Sequence, residues 1–135
     1  MDKKPTPKPK TMPQATLYSQ AFWDALNRDE WIIQQSANGA QFFPKPFSVI
    51  DGSPVYWEKA NGMGQLIAIT TCRVPGPGFE GEVPYTMGIV KLKEGPRVLS
   101  QIINPNQQQL HVGMSVVVAF DASRETQKMF VFKPV

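Results

Sequence analysis

Very few side chains in this chain could carry out a reaction. The 135 residues contain one cysteine, Cys72, and one histidine, His111. A thiol beside an imidazole can supply a nucleophile and its base, but only if folding brings the two together. Their settings argue against it. Cys72 closes a run of strand-forming residues, Leu66 to Thr71, and reads as a small half-buried strand residue. His111 stands in a polar connection and reads as an exposed loop residue. Asp51, Glu58, Glu80, Glu82 and Glu94 fall in or beside turns, where carboxylates face water. Gly62 and Gly64 lack the third glycine and the following helix of a nucleotide-binding fingerprint. No catalytic constellation emerges, and the chain is not expected to be an enzyme by itself.

A second pattern concerns metal. Gln35 and Asn38, then Ser48 and Asp51, are two pairs at x-x spacing, followed by Gly39 and Gly52. Short strands flank both turns, which is the outline of a zinc ribbon with two Cys-x-x-Cys knuckles. Amides, a hydroxyl and one carboxylate do not make the soft tetrahedral set that Zn²⁺ prefers. The sequence therefore predicts no structural metal and no zinc. It leaves Trp31, Phe42, Phe43, Phe47 and Trp57 to hold the segment, with prolines stiffening its loops.

A third group suits binding. Arg73 and Phe79 flank a Pro/Gly loop, and Tyr85 begins the next strand. If the two strands pair as a hairpin, a cation and two aromatic rings come together.

The elements that must place these residues follow from periodicity and turns. Residues 1–14 are lysine- and proline-rich without apolar spacing and read as a disordered basic tail. Tyr18, Phe22, Ala25 and Leu26 recur at helical spacing, so 15–30 holds an N-terminal helix whose stripe covers either the rest of the chain or a partner. Residues 31–60 form the degenerate ribbon, a β-hairpin segment turning at Asn38 and Gly39. In 61–135 five strands follow, over 65–72, 84–92, 97–103, 113–120 and 127–134. The first is largely apolar on both faces, with Leu66, Ala68, Thr70 and Cys72 opposite Ile67, Ile69 and Thr71, and reads as buried on much of both sides. The fold class is mainly β: a five-stranded OB-fold barrel preceded by a helix and a ribbon-like segment, with an SH3-like barrel as the alternative.

Charge narrows the partners. The net +3 comes from Lys3, Lys4, Lys8 and Lys10 against Asp2, and the body is neutral. A neutral body with Glu80, Glu82 and Glu94 near its loops matches a phosphate backbone poorly. No apolar run reaches the roughly 20 residues that cross a bilayer, so no membrane association is expected. A lone cysteine and the lack of an apolar leader point to the cytoplasm.

These features in order resemble one bacterial and archaeal family, the acyl-CoA-associated OB-fold proteins once catalogued as a domain of unknown function. In that family an N-terminal helix and a rubredoxin-like zinc ribbon precede the barrel. The resemblance rests on Phe22 and Trp23, the two knuckle turns around Phe43 to Pro46, Gly62 and Gly64, and Pro77 to Phe79. It continues through Pro84 and Tyr85, Glu94 to Ser100, Gly113 and Met114, and Phe132 to Pro134. It implies a non-catalytic accessory subunit, part of a hetero-oligomer with a thiolase-like or hydratase-type enzyme acting on CoA thioesters. Arg73, Phe79 and Tyr85 would then line an acyl-CoA groove. The four missing cysteines depart from the family and weaken any role that needs a zinc-stiffened ribbon. The alternatives are a single-stranded nucleic-acid-binding OB-fold, for which Phe130 and Phe132 share a strand face, and a stand-alone thioester hydrolase using Cys72 and His111.

Overall fold

The computed structural model describes residues 9–135. The tail expected over 1–14 therefore lies outside the described residues for 1–8. Among the described residues there are one α-helix and eight strands.

The helix, α1 (Gln20–Asn27), starts later than its periodicity predicts. Thr16 N–H donates to Ser19 Oγ at 2.8 Å, and Ser19 N–H donates to Thr16 Oγ1 at 3.2 Å. These side chains offer the backbone a turn of its own in place of the first helical turn. α1 buries Phe22, Ala25 and Leu26. Phe22 meets Trp31, Phe42 and Phe130 edge to face, at centroid distances of 5.8, 5.7 and 6.1 Å. Phe22, Ala25 and Leu26 are thus covered within the chain, while Tyr18, ahead of α1, stays exposed. Polar contacts lock the far end of the helix. Lys128 N–H donates to Asn27 Oδ1 at 2.8 Å, and Lys128 Nζ reaches Asp29 at 2.7 Å.

The next segment is a three-stranded antiparallel sheet. β1 (Ile32–Ser36) lies between β2 (Gly39–Gln41) and β3 (Tyr56–Lys59). The turn at 37–38 joins β1 to β2, with Ser36 opposite Gly39. Of the five aromatics expected to hold this segment, Trp31 and Phe42 stack at 6.0 Å, and Trp57 packs against the core. Phe43 and Phe47 do not hold it: they are 72% and 53% exposed. Their loop is fastened through its backbone, which leaves the rings outside.

The barrel comprises β4 (Met63–Cys72), β5 (Tyr85–Leu92), β6 (Arg97–Ile102), β7 (Ser115–Asp121) and β8 (Met129–Pro134). It closes in the order β4-β5-β6-β8-β7. Neighbours are antiparallel except β6 and β8, which meet parallel at Ile102 and Phe132. This is the five-stranded Greek-key OB-fold. Leu66, Val90, Leu92, Val98, Ile102, Val116 and Phe132 fill it.

β4 departs from strict alternation. A bulge lies between Leu66 and Ala68, so Leu66 faces Val90 and Ala68 faces Ile89. The extra residue resets the faces, and both Leu66 and Ile69 reach the core although three positions separate them. Nor is β4 buried on both sides: Leu66 is fully buried, while Gln65, Thr70 and Thr71 are exposed. Gly64 allows the tight approach of β5, since a Cβ there would meet Val90 Cγ1 at 2.5 Å and Lys91 O at 2.8 Å. Among the described residues no helix is long and apolar enough to cross a membrane.

Candidate functional site

The chemistry read from the sequence resolves into two places, a clasp in the small sheet and a cleft on the barrel. The Cys72–His111 pair is neither. Gly113 N–H bonds Leu66 O at 2.7 Å, which puts the His111 loop beside the middle of β4. Cys72 is six residues further along that strand, roughly 20 Å away.

At the knuckle positions, Asn38 Nδ2 donates to Asp51 Oδ2, and Ser53 N–H donates to Asp51 Oδ1 at 3.0 Å. Ser48 is 2% exposed, and its Oγ accepts Ile50 N–H at 3.2 Å. The carboxyl of Asp51 is held below its ordinary value. The Ser53 hydroxyl beside it has the largest effect, then the Ser53 N–H, opposed by slight burial and assisted by Asn38 and Ser48. The Ser53 hydroxyl acts by proximity, since no partner meets hydrogen-bond geometry with it. Three of the four knuckle residues thus close a clasp between the two turns. Gln35 is outside it, paired with Ala40 and Tyr56 across the sheet. The donor set does not fit zinc: its amide is spent on its carboxylate, and no thiolate or imidazole is present. Among the described residues no group of three His, Cys, Asp or Glu side chains is placed to hold a metal ion.

Two glutamines that the sequence reading passed over do more than the clasp. Gln34 and Gln41 face each other across β1 and β2 and are 4% and 9% exposed. Gln41 Nε2 donates to Gln34 Oε1 at 2.7 Å. Gln34 also takes Lys45 N–H at 2.9 Å and donates to Lys45 O at 3.0 Å. Gln41 donates to Phe47 O at 3.2 Å and takes Val49 N–H at 3.0 Å. Every second residue of the 45–49 loop is held from inside, so its side chains turn outward. Phe43, Phe47, Val49 and Ile50 are 72%, 53%, 64% and 62% exposed. The signal was available: two glutamines flanking a tight turn, at positions that must oppose each other.

The cleft lies over β5 and β6, between the loop at 73–84 and the loop at 122–128, a face that OB-folds use for ligands. It is a groove of ≈ 220 Å³ lined by Phe79, Tyr85, Met87, Leu99, Arg124 and Phe130, among others. Phe79 and Tyr85 do come together, with ring centroids 5.1 Å apart and planes tilted 34°. Arg73 does not join them; it is exposed and outside the lining, because it follows the last β4–β5 pair, Cys72 with Tyr85. Among the described residues Arg124 is the cation in the lining, and Lys10 lies beside the cleft over the Phe79 ring; they pair with Asp121 and Glu82. From Met87 and Leu99 an apolar surface continues to Ile89, Ile69 and Ala68. Phe130 and Phe132 are buried at 7% and 0%, so they form no stacking platform.

A helix and a small sheet packed on a closed five-stranded barrel, with a groove over β5 and β6, define an OB-fold protein. Residues 57–121 match the family described as ChsH2, C-terminal OB-fold domain. The chain is 38% identical over 90 residues to a DUF35 domain-containing scaffold protein of Pyrococcus furiosus, covering 65% of this chain and 66% of that one. It is 28% identical over 107 residues to the 3-oxo-4,17-pregnadiene-20-carboxyl-CoA hydratase alpha subunit of Mycobacterium tuberculosis, covering 77% of this chain and 34% of that one. A solved structure, the Ltp2-ChsH2(DUF35) aldolase, superposes with a TM-score of 0.79 at 23% identity, covering 91% of this chain and 98% of the other. The barrel thus matches the OB-fold domain that this family's model describes, and the superposition shows the same fold. The chain spans no more than about two-thirds of the length of these two curated relatives.

Proposed function

We propose that this protein is a non-catalytic accessory subunit of a CoA-thioester-processing enzyme, thiolase-like or hydratase-type, and works as part of a hetero-oligomer. One observation carries this reading: the 43–50 loop is anchored by buried amides and turns four large apolar side chains to solvent. A fixed backbone with apolar side chains outward loses little entropy on docking. Leu17, Tyr18 and Tyr56, also exposed, extend that surface along a neighbouring groove. The names of the relatives, a scaffold protein and a CoA hydratase alpha subunit, support the same role.

Phe79 and Tyr85 in the cleft would hold part of an acyl-CoA, with the apolar trail through Met87 and Leu99 receiving the chain. Arg73 drops out of that role. No zinc is required, because the Asn38–Asp51 clasp ties the two turns. The lone Cys72 supports a cytoplasmic setting. The nucleic-acid alternative is disfavoured, since the cations at the cleft are paired with carboxylates and the sheet offers no exposed aromatic ladder.

Affinity capture of the intact protein from its native cell tests the assignment. Recovery of a thiolase-like or hydratase-type chain supports it, together with inertness of the isolated protein toward thioesters. Turnover of a CoA ester by the isolated protein sinks it.

A further inference from the structure

We infer that residues 10–11 form an intramolecular latch between the two loops that flank the OB-fold cleft, with the Lys10 ammonium seated in a site for an alkylammonium group. Three groups on two loops converge on that nitrogen. Glu82 Oε2 is 3.0 Å away, Ser123 Oγ accepts from it at 2.8 Å, and the Phe79 ring centroid lies 4.5 Å beneath it. The Lys10 side chain is only 9% exposed. An ammonium shielded from water between a carboxylate and an aromatic face is bound more firmly than one in an open surface pair.

The contacts continue into a closed ring. Ser123 passes its own hydroxyl hydrogen to Asp121 Oδ2 at 2.6 Å. Arg124 Nη1 approaches the same oxygen at 3.6 Å, and Arg124 Nε donates to Thr11 O at 2.9 Å. The backbone fits as closely as the side chain. A Cβ on Gly78, whose φ is +85°, would meet Lys10 N at 2.5 Å. Residues 10–11 therefore tie the 73–84 loop to the 122–128 loop. Phe79 and Arg124, which they hold, also line the cleft.

Two consequences follow from this arrangement. A ligand that widens the cleft must displace residues 10–11. Once Lys10 leaves, Glu82 and Asp121 have Arg124 as their remaining partner among the described residues, and the described groups there change from neutral to net negative. The vacated seat then favours an amine over a phosphate. This inference is independent of the thioester reading, and its test uses neither thioester nor partner.

Amide hydrogen exchange on the full chain tests it. In Lys10→Ala, amides within 76–83 and 121–128 should exchange about tenfold faster, while the β5 and β6 amides stay as in the parent. Adding n-butylammonium should restore protection in Lys10→Ala and do nothing to the parent. Glu82→Gln should open the same loops and abolish the rescue in combination with Lys10→Ala. Gly78→Ala, which pushes the latch away sterically, should open both loops with Lys10 intact. Unchanged exchange in Lys10→Ala overturns the latch. Faster exchange that n-butylammonium does not reverse overturns the ammonium site.

Discussion

Gln34 and Gln41 occupy in the small sheet the kind of place that Leu66 and Phe132 occupy in the barrel. Each pair is almost fully buried and faces the middle of its own element. What they hold differs. In the barrel, apolar side chains fill the centre and polar groups collect outside, at the Lys10–Glu82–Asp121 ring. In the sheet, amides hold the centre, and Phe43, Phe47, Val49 and Ile50 are turned to solvent. The first arrangement is stabilised mainly by removing area from water, which is non-directional. The second depends on directed hydrogen bonds, which fix a loop in one shape but add little net stability. A segment meant to survive alone is built the first way, and one meant to present a surface can be built the second way.

The largest expected effect is in the barrel. Phe132→Ala removes a fully buried ring and should cost about 3–5 kcal/mol, read from denaturant unfolding as a shifted midpoint at unchanged slope. A smaller loss would mean that the barrel core is looser than the sheet. Next is Gln34→Ala, which leaves Lys45 N–H and Lys45 O without their partner, while Gln41 Nε2 keeps Phe47 O. Each buried orphan costs about 1–3 kcal/mol, eased where water enters. Exchange should rise at 45–49 and not in β4–β8; a uniform rise would erase the distinction between the two regions.

Acid should separate them more gently. Asp51 has its pKa lowered from 3.8 by the Ser53 hydroxyl, the Ser53 N–H, Asn38 and Ser48. A lowered folded-state pKa gives stability that is complete above the unfolded value and is lost as pH falls through the folded one. Amide shifts at 48–53 should therefore move below pH 3.8, while Asp51→Asn abolishes that step. Movement of the same amides nearer neutrality would assign the clasp to another group. The smallest stability effect belongs to Phe43→Ser with Phe47→Ser, within about 0.5 kcal/mol. This pair should nonetheless abolish capture of the enzyme partner. Capture that survives would remove the loop from the docking surface.

The barrel was legible because its strands alternate and its turns carry Gly, Pro and Asn. All five strands fall within a few residues of their expected limits. The bulge in β4 was not, since nothing at Ile67 marks an inserted residue until Val90 and Ile89 are seen opposite. Phe79 and Tyr85 could be paired because one hairpin brings them together. Arg73 could not be separated from them, as the reach of a side chain past the last ladder pair is invisible in spacing. Lys10 was hidden for a different reason. Its composition says tail, and only a close packing on Gly78 makes it part of the fold.

Trp31 touches Phe130 and Phe132 at 5.4 and 5.8 Å, so the sheet and the barrel's last strand share one aromatic stack. The protruding loop is therefore a handle without a joint. Whatever grips it also sets the compass bearing of the groove on the barrel, and a partner needs only one grip to aim both.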